Sequence, residues 1–267
     1  MSTFVYCSPM EQYEIYPLLS LGFTLNNVIF YFLIAGFISI VITYVGTTRG
    51  EIVSNWWGIL SESLYRTILS MVENYIGIKY TMYLPLIYTV FHLILFSNLI
   101  GMVPYSSTPT VEIVMTLSLA LTLLVAILLI GFLSHKLLLL AAFIPAGTPL
   151  GLVFLMIVLE ILAYLTRTFS LGLRLAVNMI TGHILAKVCV GFIWVAYLKG
   201  TSLLVLTLPL LLLTLFLGLE LLIAYLQAYI FTFITCITIK DLAYNILWYV
   251  WLSAGRPAAR TRPKSSL

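Results

Sequence analysis

Two stretches near the end of the chain, Leu150–Leu198 and Thr201–Val250, each run about fifty residues with few polar intrusions. A continuous helix of that length measures about 75 Å at about 1.5 Å per residue. The hydrocarbon core of a bilayer is about 30 Å thick. An upright helix therefore cannot use a whole block. Either each block breaks into two spans, or each forms one long, steeply tilted helix. Only Lys199-Gly200 makes a convincing break between the blocks, while Pro209 and Gly218 are sites for a bend in the second. The preferred reading is two long tilted helices forming a hairpin.

The rest of the chain fits the same solvent. Of 267 residues, 62% are hydrophobic and 8% charged, with a mean hydropathy of +1.13. Soluble domains carry about 25% charged residues. These values exclude a cytosolic globular enzyme, a nucleic-acid-binding protein and a disordered chain. Backbone exposed to lipid must satisfy its own hydrogen bonds, so a polytopic all-α membrane protein is expected. A β-barrel needs short alternating segments, and the apolar blocks here reach twenty residues and more. Cys7, Cys189 and Cys236 are too scattered to imply a disulfide framework or a metal cluster. No cofactor is expected.

About five passes follow, with one interfacial helix. Residues 1–26 form an N-terminal segment that holds Glu11 and Glu14 and no cation in its first 24 positions, unlike a secretory signal. Residues 27–46 form the first span. In 47–80, Trp56, Trp57, Leu60, Leu64, Ile68 and Val72 fall at helical spacing among Glu51, Glu62, Arg66 and Glu73. That pattern suits a helix in the headgroup region, the alternative being a solvated connecting helix against a partner subunit. Residues 83–134 form a transmembrane hairpin, turning at Pro104, Tyr105 and the following Ser-Ser-Thr-Pro run. Pro145-Ala-Gly-Thr-Pro149 breaks the chain before the long hairpin of 145–250, and 251–267 is a basic tail. With the N-terminus outside, eight cations (Arg49, Arg66, Lys79, Lys136, Arg256, Arg260, Arg262, Lys264) fall inside against Lys199 outside, as the positive-inside rule requires. No internal repeat is evident, which counts against an inverted-repeat transporter.

Ionisable groups at bilayer depth cost several kcal/mol unless paired or hydrated, so each is a functional candidate. The long blocks hold Glu160, Arg167, Arg174, His183, Lys187, Glu220 and Asp241, with the amides Asn178 and Gln227. Arg167 and Lys187 have snorkelling or pairing as the structural alternative. If the blocks fold back at Lys199-Gly200-Thr201, residues at one depth have numbers totalling about 401. Glu160 and Asp241 then lie in one layer toward the inside, Arg174 and Gln227 in a layer at the middle, and His183 and Glu220 in a layer toward the outside. Glu160, Arg167 and Arg174 share one helix face at about 100° per residue, and His183 lies about 180° from Arg174. Carboxylates and imidazole exchange protons near neutral pH, whereas arginine stays charged. The arrangement reads as a proton path interrupted by a fixed cation whose transient acidic partner belongs to another subunit. The alternative is a static clamp pairing Arg174 with Glu160 or Glu220.

The run Ser170-Leu-Gly-Leu-Arg174-Leu-Ala-Val-Asn178-Met-Ile-Thr-Gly182-His183, with Gly218-Leu-Glu220 and Leu226-Gln227-Ala228-Tyr229, resembles subunit a (subunit 6) of F-type ATP synthases. So do Asn98-Leu-Ile-Gly-Met-Val-Pro-Tyr105, Pro145-Ala-Gly-Thr-Pro149 and Ser8-Pro-Met-Glu-Gln-Tyr-Glu-Ile15, so the likeness runs from about residue 8 to 245. It implies a proton-conducting stator subunit with two offset half-channels against a rotating ring of c subunits. Arg174 matches the family's essential arginine, facing the ring carboxylate, and Gln227 its neighbouring glutamine; Asn178 lies in the same motif and joins the proposed proton path. Glu220 and His183 match the half-channel that admits protons during synthesis, and Glu160 and Asp241 match acidic positions near the opposite exit. The implied partners are the c-ring, peripheral-stalk and small membrane subunits, lipid and protons, with no nucleic acid. Histidine at 183 with glutamate at 220 is the mitochondrial arrangement, which favours the mitochondrial inner membrane over a bacterial plasma membrane. Some mitochondrial members lose a short leader, and whether residues 1–7 are removed stays open. Ala176-Val177 departs from a more usual aromatic-small pair, and the tail after about Tyr249 is longer than in most members. No Gly-x-x-x-x-Gly-Lys-Ser/Thr run is present, so the chain itself is not expected to bind nucleotide. Two further classes stay open: a proton-coupled secondary transporter subunit and a structural membrane anchor.

Overall fold

The computed structural model describes residues 14–20, 24–48, 56–103, 106–135, 150–200 and 202–253. Residues 1–7, the Pro104-Tyr105 pair, the Pro145–Pro149 break and the tail from 254 onward lie outside the described residues. Six helices carry the fold: α1 (Asn27–Thr48), α2 (Trp56–Tyr75), α3 (Leu84–Gly101), α4 (Ile113–His135), α5 (Val153–Leu198) and α6 (Leu203–Ser253). All but α2 are long and apolar enough to cross a membrane. A small antiparallel hairpin, β1 (Pro17–Ser20) and β2 (Thr24–Asn26), precedes α1 and has no counterpart in the sequence expectation.

The question left open by block length is answered by α5 and α6. Each is a single helix, of 46 and 51 residues, or about 69 and 77 Å. Pro209 lies inside α6 without ending it. The two pack as a hairpin. Helix α5 stops where Gly200 takes a left-handed φ of 67°, and the Gly200 amide donates to the Tyr197 carbonyl. A glycine adopts that conformation without a Cβ penalty.

Helix α2 is amphipathic along its length. Trp56 and Trp57 are exposed, while Ile68, Met71 and Val72 are buried. Its exposed Glu62 and Arg66 pair one turn apart. The buried end of α2 joins a core of Ile87, Phe91 and Ile94 from α3, Leu124 from α4, Leu171 and Leu175 from α5, and Ala228 and Phe231 from α6. Aromatic edges hold α2 to its neighbours, Tyr65 on Tyr88 of α3 and Tyr75 on Phe233 of α6. Without a hydrophobic drive between helices in lipid, close packing must bring them together. Gly172 supplies one such approach: a Cβ there would stand 3.1 Å from the Thr116 carbonyl oxygen and 3.2 Å from Leu117 Cα, both backbone atoms of α4.

The link between α3 and α4 is not a loose surface turn. A short 3-10 turn, Pro109–Val111, is buried in full, as is Thr108 before it. It packs against α3, α4 and α5. The expectation of a simple turn is therefore corrected: the link is an element inserted into the bundle.

Candidate functional site: a polar seam in a helical hairpin

Helix α5 buries Leu171, Gly172, Leu175, Ala176 and Met179, a stripe at helical spacing. That stripe fixes where the polar residues point. Arg174 falls off it and is exposed, with Leu173 and Val177 exposed beside it. Arg174 makes no hydrogen bond or ion pair among the described residues. In particular it pairs with neither Glu160 nor Glu220, so no static clamp of that kind forms within the described chain.

Helix α6 turns its polar side inward. Glu220, Ala224, Gln227, Ala228 and Phe231 are buried on one face. Glu220 and Gln227, seven residues apart, thus share a face as the helical period requires. Gln227 sits inside the packed chain and Arg174 on its open side, with no hydrogen bond between them among the described residues.

His183 and Glu220 meet. His183 Nδ1 lies 3.0 Å from Glu220 Oε1 in an interior setting. The separation is that of an ion pair, yet Oε1 accepts no aligned hydrogen bond. The helical wheel that turned His183 away from Arg174 is consistent with this, because His183 faces α6. Gly182 makes the approach possible. A Cβ on it would stand 3.1 Å from Glu220 Oε1 and 3.3 Å from its Cδ. The other ring nitrogen, His183 Nε2, lies 3.0 Å from Thr108 Oγ1.

The third pair is not joined. Asp241 Oδ2 lies 3.5 Å from Arg167 Nη1, both side chains being partly exposed. Arg167 also stands over the Tyr164 ring, 5.4 Å from its centre. Glu160 is half-buried and makes no hydrogen bond or ion pair among the described residues. Arg167 thus reaches across the hairpin to the Asp241 carboxylate. Asn178 is half-buried and Lys187 exposed.

Three contributors are not evident from the residue pattern alone. Thr108 lies in a stretch that reads only as turn. Gly182 reads as part of a motif rather than as room for a carboxylate. Asn98, fully buried on α3, donates through Nδ2 to the Ala224 carbonyl, one turn from Glu220. Ser97, Ser107 and Thr110 add buried hydroxyls without a hydrogen-bond partner around the same end of α3. Buried polar atoms of this kind are normally met by water. The arrangement is thus a polar seam beside His183 and Glu220, with Arg174 on the opposite face, unpaired among the described residues. No group of acidic, histidine or cysteine side chains suited to a metal ion occurs among the described residues.

Comparison with known proteins accords with this geometry. Residues 29–240 match the family model described as ATP synthase A chain. The ATP synthase subunit a of Zancudomyces culisetae is 42% identical over 246 residues, covering 88% of this chain and 97% of that protein. That of Chondrus crispus is 41% identical over 244 residues, covering 89% and 96%. That of Neurospora crassa is 41% identical over 242 residues, covering 88% and 93%. A match over residues 29–240, together with relatives about 40% identical over nearly their whole length, shows that the chain belongs to the ATP synthase A chain family.

Proposed function

We propose that protons reach a rotating ring of c subunits through His183 and Glu220, and leave it past Glu160 and Asp241, with Arg174 separating the two routes. The chain itself is a proton-conducting stator subunit of the ATP synthase membrane sector, multi-pass in the mitochondrial inner membrane, and is not the subunit that binds nucleotide. The finer assignment rests on one observation: Arg174 is exposed and unpaired among the described residues, on the face opposite the packed stripe of α5.

A guanidinium at bilayer depth against lipid costs about 2.5–3.5 kcal/mol on insertion scales. The neighbouring exposed side chains, Leu173 and Val177, offer it nothing. A carboxylate carried past by a ring subunit removes that cost, and the cation in turn favours the ionised carboxylate. In the proposed cycle the ring acid is neutral while it faces lipid, having been loaded from Glu220. It is ionised only beside Arg174, after discharging toward Glu160 and Asp241. Gln227 and Asn178 flank the crossing as neutral hydrogen-bonding groups. Each charge that crosses the membrane is worth about 2.3 kcal/mol per 100 mV. This energy biases the rotation in one direction.

The direct test is Arg174→Ala in the assembled synthase. Proton-driven ATP synthesis is expected to vanish while the amount of complex on native gels stays near wild type. Synthesis at the wild-type rate in that variant would remove Arg174 from the mechanism.

A further inference from the structure

We infer that the Thr108 hydroxyl is a proton relay that loads His183, making a wire Thr108–His183–Glu220; the inference rests on the proton-path reading of His183 and Glu220 above. Thr108 stands at the N-cap of the 3-10 turn Pro109–Val111. A threonine there ordinarily accepts from a backbone N–H of its own turn. Here it makes no such cap bond, and its Oγ1 instead lies 3.0 Å from His183 Nε2, across 75 residues of sequence. The turn is secured without it, by the Val111 amide donating to the Thr108 carbonyl. Its side chain sits over Gly101, where a Cβ would collide with it. The hydroxyl is therefore free of local duty, buried, and aimed at the imidazole.

The tautomer follows from the neighbours. The tautomer with its hydrogen on Nδ1 sets that hydrogen on the side of the Glu220 carboxyl, whose Oε1 is 3.0 Å away, and leaves a lone pair on Nε2. Thr108 O–H then donates to Nε2, which is the alignment a relay needs. The transfer balances without any co-reactant. The Thr108 O–H bond breaks as an N–H bond forms at Nε2, while the threonine oxygen takes the incoming proton from a hydronium ion on its outer side, which is left as water. The Nδ1–H bond breaks as an O–H bond forms on Glu220, after the carboxylate turns about its soft terminal torsion to meet the N–H axis. The hydroxyl rotor and the ring tautomer then reset. Beside Thr108, the buried and unpartnered Ser107 and Thr110 hydroxyls provide polar groups on the supply side.

The experiment uses the whole synthase in sealed inner-membrane vesicles, with the soluble head removed to measure passive proton conduction and retained to measure ATP synthesis. Thr108→Val keeps the shape and removes the hydroxyl. It is expected to slow both rates at least about tenfold, within the range of a lost proton-transfer group. The defect should widen as the outer side is made alkaline and shrink as it is acidified, because water must then load the imidazole directly. Thr108→Ser keeps the hydroxyl and should conduct within about twofold of wild type. Thr108→Ala, which cannot overpack, should show the same slowing and replaces the valine variant if that one assembles poorly. The proposal is overturned if either hydroxyl-free variant conducts normally while Glu220→Gln is slow, or if Thr108→Ser is as slow as Thr108→Val. Normal conduction in Glu220→Gln itself would overturn the underlying path as well.

Discussion

The substitution Gly182→Ala separates the stability of the hairpin from its conduction. The new methyl carbon would stand 3.1 Å from Glu220 Oε1, 3.3 Å from Cδ and 3.4 Å from Cγ. Comfortable contacts begin at about 3.5 Å, so the carboxylate must retreat by a few tenths of an ångström. Gly182 adjoins His183 on α5, so a retreat from one is a retreat from the other. The Nδ1–Oε1 separation starts at 3.0 Å and moves toward about 3.5 Å, beyond which the carboxylate cannot turn into a hydrogen bond with the ring. Overpacking of this kind costs about 1–3 kcal/mol. Replacing a glycine inside a helix by alanine returns about 1 kcal/mol, so the net loss of stability should not exceed about 2 kcal/mol. Expressed at the proton-transfer step, about 1–3 kcal/mol is a slowing of about 5- to 150-fold. Gly191→Ala is the matched control, since nothing lies within 4 Å of a Cβ there. Passive proton conduction of head-stripped vesicles, with complex content measured on native gels, reads the difference. If Gly182→Ala conducts as fast as Gly191→Ala with equal assembly, the close approach of Gly182 to Glu220 has no functional meaning.

Other outcomes follow from the same geometry. Glu220→Gln should slow proton delivery without opening a leak, because Arg174 is untouched; a rise in passive flux would contradict the division of the two routes. Gly172→Leu should cut assembled complex severely, since the side chain meets backbone atoms of α4 at about 3.1 Å and overpacking there costs at least about 1–3 kcal/mol; normal complex content would refute the close contact. Arg167→Gln should shift stability in detergent by less than about 1 kcal/mol, as its pair with Asp241 is long and partly exposed; a loss of several kcal/mol would show a far stronger contact. Gly200→Val should destabilise the hairpin by about 1–2 kcal/mol through its left-handed φ, read as a lower unfolding midpoint.

The parts of this architecture written in apolar block length are legible in the sequence itself. Two fifty-residue blocks with one break give the long hairpin, and the depth count across Lys199-Gly200 brings His183 to Glu220 because both helices are unbroken. The same count sets Glu160 and Asp241 in one layer but does not tell which partner Asp241 takes. Depth alone ignores side-chain reach, and Arg167 spans to Asp241 from two turns away. Which face of α5 is packed was also invisible, since Leu171, Leu173 and Leu175 look alike in sequence while only the first and last are buried. Their fate depends on where α4 lies. Thr108 is hidden for a related reason. A polar turn rich in serine and proline signals a change of direction, but nothing local tells that the turn is pushed inward until α5 supplies an imidazole 75 residues later. The β1–β2 hairpin is too short to leave an alternating pattern.

Glu220 looks into the bundle and Arg174 looks out of it. On the proposed path a single copy of this polypeptide would be an electrical insulator, because the carboxylate that takes up charge faces inward while the guanidinium faces outward. Leakage is prevented by geometry rather than by a door. In that proposal the circuit would close only when a neighbouring molecule carries the load around the outside, which would make slip-free coupling a property of the assembly and silence the resting property of the part.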